Sequence, residues 1–250
     1  MPHSCSVENI LGSYPRLRTP LSPAHREIYV AHYQENREGD GWLTGFKNDV
    51  LEAWMHRRIA LRQHGTDVLE IGAGTLNHLV YEPDSLSYDA VEPFKELWEG
   101  RGGLSRLRTL YQSIDDIPPQ LTYDRIFSIA VLEHLTELPR IVAASALRLR
   151  PEGRYQAAIP SEGGLLWGLA WRLSTGVSFR LRTGLSYKEV MRHEHVNTAD
   201  EILAVCRWLF AELEVERTPT GLHHLSVYGV LEARGPRIER CRSLMAGHQP

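Results

Sequence analysis

The stretch DVLEIGAGTLNHL, residues 67–79, decides how the rest of the chain is read. Val68, Leu69 and Ile71 make a short apolar run that carries one acidic residue, Glu70, and ends in Gly72-Ala73-Gly74 before a helix-compatible segment. Strand, glycine turn and helix, in that order, form the first half of a βαβ unit. The turn after such a strand brings backbone close to a ligand. Glycine removes the Cβ that would obstruct the approach, and the following helix offers unpaired N–H groups at its start. A dinucleotide fingerprint needs a third glycine at position 77, where this chain has Asn77, and the mismatch counts against a nicotinamide cofactor.

Working outward, short apolar runs alternate with helix-compatible stretches after Gly65. Strands are expected at Asp67–Ile71, Tyr88–Val91, Arg108–Tyr111, Tyr123–Ala130 and Arg154–Ile159, which together imply a parallel sheet covered on both faces. The pattern then changes. A helix in TADEILAVCRWLFAE (198–212), capped by Asn197 or Thr198, precedes LEVERTPTG and HLSVYGVLEAR, expected as an antiparallel hairpin joined by a short turn at a sheet edge. Ahead of the alternating region, residues 23–62 read as two helices broken at REGDG (37–41). The expected division is a helical cap over 1–62, an α/β domain over 63–235 with an insertion at 160–198, and a tail over 236–250.

Composition narrows the class. Among 250 residues, 28 basic side chains stand against 31 acidic ones, so no electrostatic footprint for nucleic acid is present and no nucleic-acid partner is expected. Cys5, Cys206 and Cys241 have neither metal-type spacing nor an even count, which suits a reducing cytoplasm better than a disulfide framework. The first residues show no charged start followed by an apolar run, so no signal peptide is expected. The longest apolar stretch, GLLWGLAW (164–171), is too short for an integral membrane segment.

Four stretches then occur in order: VLEIGAGT, YDAVEP, YDRIFSIAVLEHL and LRPEGRYQAAIPSEG. Together, over about two thirds of the chain, they resemble the class I S-adenosylmethionine-dependent methyltransferases. The resemblance implies a Rossmann-like, doubly wound seven-stranded α/β sheet with an antiparallel last strand, and S-adenosyl-L-methionine as cofactor. It places Glu70, Gly72, Ala73 and Gly74 on the methionine part, with Thr75 bonding locally or to the cofactor. Leu76 departs from the pattern, since the family usually has a further glycine there. Glu92 is expected on the two ribose hydroxyls, because a carboxylate can accept from both. Pro93 follows it, and Phe94 packs on adenine or in the core. Ser113 and Ile114 fall where the family has an acid and an apolar residue contacting adenine, and Asp115 could take the acid's part after a register shift. Ile129 and Ala130 should border the sulfonium.

For the chemistry, His134 and His195 are the candidate bases, since histidine changes charge near neutral pH. His195 is preferred over His193, and a hydrogen-bonded structural histidine remains the alternative for each. Relatives that use a metal carry a glutamate four positions before the histidine. Ala130 stands there, so no metal is expected. The long segment 160–192 holds Trp167, Trp171, Phe179 and Tyr187 with Arg172, Arg180 and Arg182. It reads as an acceptor pocket or lid, as a face packed on the sheet or on a partner chain in a homodimer, or as an amphipathic helix on a membrane surface. Tyr29 and Tyr33, four apart on one helix face, are expected to cap the cofactor or to pack in the core. The acceptor read from this is a small molecule or glycan precursor, methylated on oxygen or nitrogen. A non-catalytic partner protein of the same fold and, further off, a nicotinamide-dependent oxidoreductase are the alternatives.

Overall fold

The computed structural model describes residues 6–29, 48–84 and 86–247. Two short helical stretches, α1 (Val7–Leu11) and α2 (23–29), precede the longer helix α3 (Asn48–Ala60). Seven strands follow: β1 (Asp67–Ile71), β2 (Ser87–Val91), β3 (Leu107–Tyr111), β4 (Tyr123–Ile129), β5 (Leu149–Pro160), β6 (Phe210–Thr218) and β7 (Tyr228–Pro236). They form one sheet in the order β3-β2-β1-β4-β5-β7-β6. Strands β1 to β5 pair in parallel, and β7 runs antiparallel to both its neighbours, β5 and β6. The expected Rossmann-like seven-stranded sheet with an antiparallel last strand is present.

Strand alternation sorts the core into two layers. Leu69 and Ile71 of β1 face a cluster that also holds Ile10 of α1 and helices α5 (Leu138–Ala146), α9 (Ala199–Leu209) and α10 (Ile238–Ala246). Val68 faces the other way, with Phe127 of β4 and with Met55 and Ile59 of α3. Residues 236–250, read from sequence as a tail, thus supply α10, whose Cys241 is fully buried against the same layer as α9.

Three local expectations change. The glycine turn leads into a single 3₁₀ turn, Asn77–Tyr81, in place of a helix. Leu76 opens it in the left-handed region at φ 62°, and His78 and Glu82 are tied inward to Arg125 of β4, so the backbone is held short of a full helical run. After β2 only the four-residue α4 (Lys95–Trp98) forms. The β6–β7 connection is the loop 219–227, with its own 3₁₀ turn at His223–Leu225, where a short turn was expected. The segment after β5 is helical: α6 (Leu165–Trp171), a π turn (Arg172–Gly176), α7 (Val177–Thr183) and α8 (Tyr187–Glu194). Thr198 is the cap of α9, sharing a capping box with Glu201. Tyr33 and the break at 37–41 lie outside the described residues.

Candidate active site

Parallel strands β1 and β4 end side by side, and the crevice beyond such carboxyl ends is where open α/β sheets bind ligands. A cavity of about 380 Å³ opens there. It is lined by Glu70, Gly72, Ala73, Gly74 and Thr75 and by Ile129 and Ala130. These seven residues were all expected at one site, and the fold brings them together.

The glycine turn has room only in places. The amides of Gly72 and Ala73 both donate to the Val91 carbonyl, at 2.8 and 3.2 Å, which folds the turn back over β2. Gly72 has φ +72°, and a Cβ there would come within 2.5 Å of Val131. Gly74 has φ +51°, yet a Cβ there would meet nothing within 4 Å. The space beside Gly74 therefore belongs to the cavity. Ala130 also sits in the left-handed region, at φ 53°, a conformation that stores strain in a non-glycine residue and clusters at functional sites.

Glu70 is buried beneath the cavity, where its carboxyl accepts the Tyr88 hydroxyl proton at 2.6 Å. Burial pushes its pKa up to about 8, against the pull of that hydrogen bond, and the nearby Glu82 and Glu92 push the same way. Burial thus favours the protonated form of Glu70. Glu92 is buried too and accepts the amides of Gly74 at 2.8 Å and of Phe94 at 2.9 Å. Its carboxylate ties the glycine turn to the end of β2 and is raised above its ordinary pKa by burial.

Glu92 lies behind the glycine turn and is not itself among the residues that line the cavity, and the remaining expected contacts lie elsewhere. Pro93 and Phe94 are exposed outside the cavity wall. Ser113 caps the 3₁₀ turn Ile114–Asp116, Ile114 is in the core, and Asp115 pairs with Arg140. None of these three lines the cavity. Sequence reading missed Glu52, Met55 and His56 of α3, which also line the cavity, with Leu97 and Tyr228. Their spacing of three and four residues on one helix face was a legible signal. Tyr228, on the inserted antiparallel strand, gave none.

Tyr228 leads to a second cluster. Trp167 of α6 packs edge-to-face on Tyr228 at 5.3 Å and stacks parallel to His195 at 6.4 Å. His195 in turn meets His134 edge-on at 4.8 Å, so two histidines 61 positions apart in the chain share one site. Glu162 binds both Trp167, through the indole N–H, and His195 Nδ1, at 3.0 Å. His195 also stands on the wall of a hollow of about 670 Å³, beside Arg16, Thr19 and Arg192.

The two histidines differ. His134 Nδ1 lies 3.0 Å from the Glu194 carbonyl and 3.4 Å from its carboxylate, with the buried Glu133 on the other side at 3.9 Å. Burial pulls the imidazole down, but the Glu194 hydrogen bond and the two carboxylate charges together raise it above its ordinary value. Glu194 is the counterpart. Burial pushes it up, and hydrogen bonds from His134 and the Tyr29 hydroxyl bring it down to about 2. His193 bonds through Nδ1 to the Thr19 carbonyl at 2.8 Å and pins the N-terminal segment. Among the described residues no group of three or more His, Cys, Asp or Glu could hold a metal ion.

No protein-family model matches the chain, and no curated protein matches it. Solved structures do. The N-methyltransferase NodS from Bradyrhizobium japonicum, in complex with S-adenosyl-L-homocysteine, superposes with a TM-score of 0.56 at 14% identity, covering 84% of this chain and 98% of its own. The strand order with its one antiparallel strand and these superpositions agree. This chain has the class I methyltransferase fold. An O-methyltransferase family protein from Burkholderia thailandensis shares the fold at a TM-score of 0.55 and 14% identity, over 92% of this chain and 69% of that one. The plantazolicin methyltransferase BpumL, with S-adenosylhomocysteine bound, does so at 0.53 and 11%, over 92% and 95%. The cavity lies at the carboxyl ends of β1 and β4, and Trp167, His195 and His134 join it through Tyr228.

Proposed function

We propose that the chain is an S-adenosylmethionine-dependent methyltransferase acting on a small-molecule acceptor through a hydroxyl or amine. One observation carries this: a cavity lined by Glu70 and an open-sided Gly74, at the carboxyl ends of β1 and β4, in a class I methyltransferase fold. The residues present fit that cofactor. About 380 Å³ is within the range of cofactor sites, and a buried carboxyl suits an ammonium group. When bound, the cofactor supplies an activated methyl on positive sulfur, so the protein's task is alignment and proton removal.

Glu70 gives up its proton when a cation enters, exchanging a buried neutral acid for an ion pair. The Gly72–Gly74 turn presents backbone without side chains, and each Glu92 oxygen keeps lone-pair capacity for a ribose hydroxyl beyond the one amide it accepts. On the acceptor side, the Glu194 and Glu133 carboxylates favour the protonated form of His134, which counts against it as the base. His195 takes that part: Nδ1–H donates to Glu162, which fixes the ring, and Nε2 receives the acceptor's proton. The hollow bounded by His195 and Arg192 admits the acceptor.

Calorimetry with S-adenosylhomocysteine should give micromolar binding, and binding of NADH in its place would end the proposal. Glu92→Ala should weaken that binding at least about tenfold, roughly 1.4 kcal/mol. With labelled cofactor and small-molecule extracts, Glu162→Gln and His195→Gln should each lower kcat by about 10²–10⁴ while leaving product binding intact. Binding with no transfer to any extract would leave a cofactor-binding protein.

A further inference from the structure

The helix that carries Trp167 continues without a break from 165 to 183, and its outer face is apolar. Leu165, Leu169, Leu173, Val177 and Leu181 recur every fourth residue and are between 45% and 82% exposed. In an α-helix every fourth residue advances by about 40°, so a stripe of five would wind around the axis. The π turn at Arg172–Gly176 holds more residues per turn and takes part of that rotation back, which keeps the stripe on one side. The inner face is anchored. Phe179 is buried against His25 and Tyr187, and Trp171 packs on Tyr187 at 6.1 Å. The exposed 3₁₀-turn residues Leu222 and Leu225 extend the apolar patch where their turn packs on α6. Contiguous exposed apolar surface of this kind marks an interaction site.

Charge selects the occupant. Residues 163–188 contain no acidic side chain and four basic ones, Arg172, Arg180, Arg182 and Lys188, all exposed. A two-fold pairing of copies would set this positive face against itself. A protein partner would need an acidic groove shaped to a convex ridge, whereas a bilayer interface yields to one. Leucines on one side and arginines on the flanks are what an interfacial helix needs. We propose that residues 165–183 rest on an anionic lipid surface, with the leucine stripe in the acyl boundary and the arginines among the headgroups. The helix lies on the membrane and does not enter it: among the described residues none is long and apolar enough to cross.

Flotation of the full chain with vesicles tests this. Vesicles of phosphatidylcholine mixed with phosphatidylglycerol should carry the protein up. Vesicles of phosphatidylcholine alone should carry much less, and added salt should weaken the anionic binding. Leu169→Asp combined with Leu173→Asp should reduce the bound fraction at least about tenfold, with unchanged melting because both side chains are exposed. Arg172→Glu with Arg180→Glu should bring anionic vesicles down to the level of neutral ones. No binding to anionic vesicles overturns the proposal, as does binding that survives the double aspartate variant. A dimer in solution that the same aspartates dissociate, without vesicle binding, would assign the face to a second copy.

Discussion

At the residue scale, the two glycines of the turn do different work, and substitution separates them. Gly72→Ala forces a Cβ into Val131 and into left-handed backbone, and should lower stability by more than the roughly 1–2 kcal/mol that the conformation alone costs. Gly74→Ala bears only that conformational cost, but its methyl projects into the cavity, so S-adenosylhomocysteine binding should fall with it. Chemical denaturation beside calorimetry distinguishes the two. Glu70 gives a pH signature. Its folded pKa, about 8, exceeds the ordinary 4.5, so the folded state holds the proton more tightly. The stability this contributes is whole below about 4.5 and is lost as pH rises through about 8. Glu70→Gln should flatten that decline, and melting followed between about pH 5 and pH 9 would show wild type falling away from the variant. Ligand affinity should move oppositely, strengthening in wild type as pH rises toward 8, since a bound ammonium needs the ionised carboxylate.

At the element scale, the segment between α8 and α9 locks the turn that bears His134. Asn197 is buried and donates to the carbonyls of Leu132 and Leu135, both at 2.8 Å, while accepting the Tyr14 hydroxyl proton at 2.6 Å. It thereby joins the N-terminal segment, the turn bearing His134 and the start of α9. Asn197→Ala strands three partners and should cost about 2–4 kcal/mol. Thr198→Ala removes only the cap, at about 1 kcal/mol, and should lower Tm by roughly 2–4 °C. A smaller loss for Asn197→Ala than for Thr198→Ala in the same melting experiment would contradict this account. The α9 cap was legible because a capping box is local. The 3₁₀ turn after Leu76 was not, since it depends on a partner from β4.

At the scale of the whole molecule, that partner belongs to a buried polar network beneath the cavity. Arg125 of β4 bonds Glu82 at 2.6 Å, Glu82 bonds His78 at 2.9 Å, and His78 meets His56 of α3 at 2.9 Å. The network spans strand, turn and helix and sets the face that α3 presents to the cavity. Removing one member leaves a buried charge, so Glu82→Ala should cost about 3–5 kcal/mol in a urea titration. Glu82→Leu with Arg125→Met should recover most of it, because an apolar pair of similar volume avoids both desolvation costs.

Sequence alone was enough for the alternation of strands and helices, the glycine turn, the acidic residue before it and the antiparallel close of the sheet. Each of these is a short-range pattern, written within one element or one turn. The cavity wall from α3, Tyr228 as the link to Trp167, and the meeting of His134 with His195 were decided by the tertiary structure. So was the raised proton affinity of Glu70, because a carboxyl's hold on its proton answers to burial and to charges brought close from other strands. Side-chain proximity across the sheet depends on register and crossover, and neither is encoded at the positions that meet.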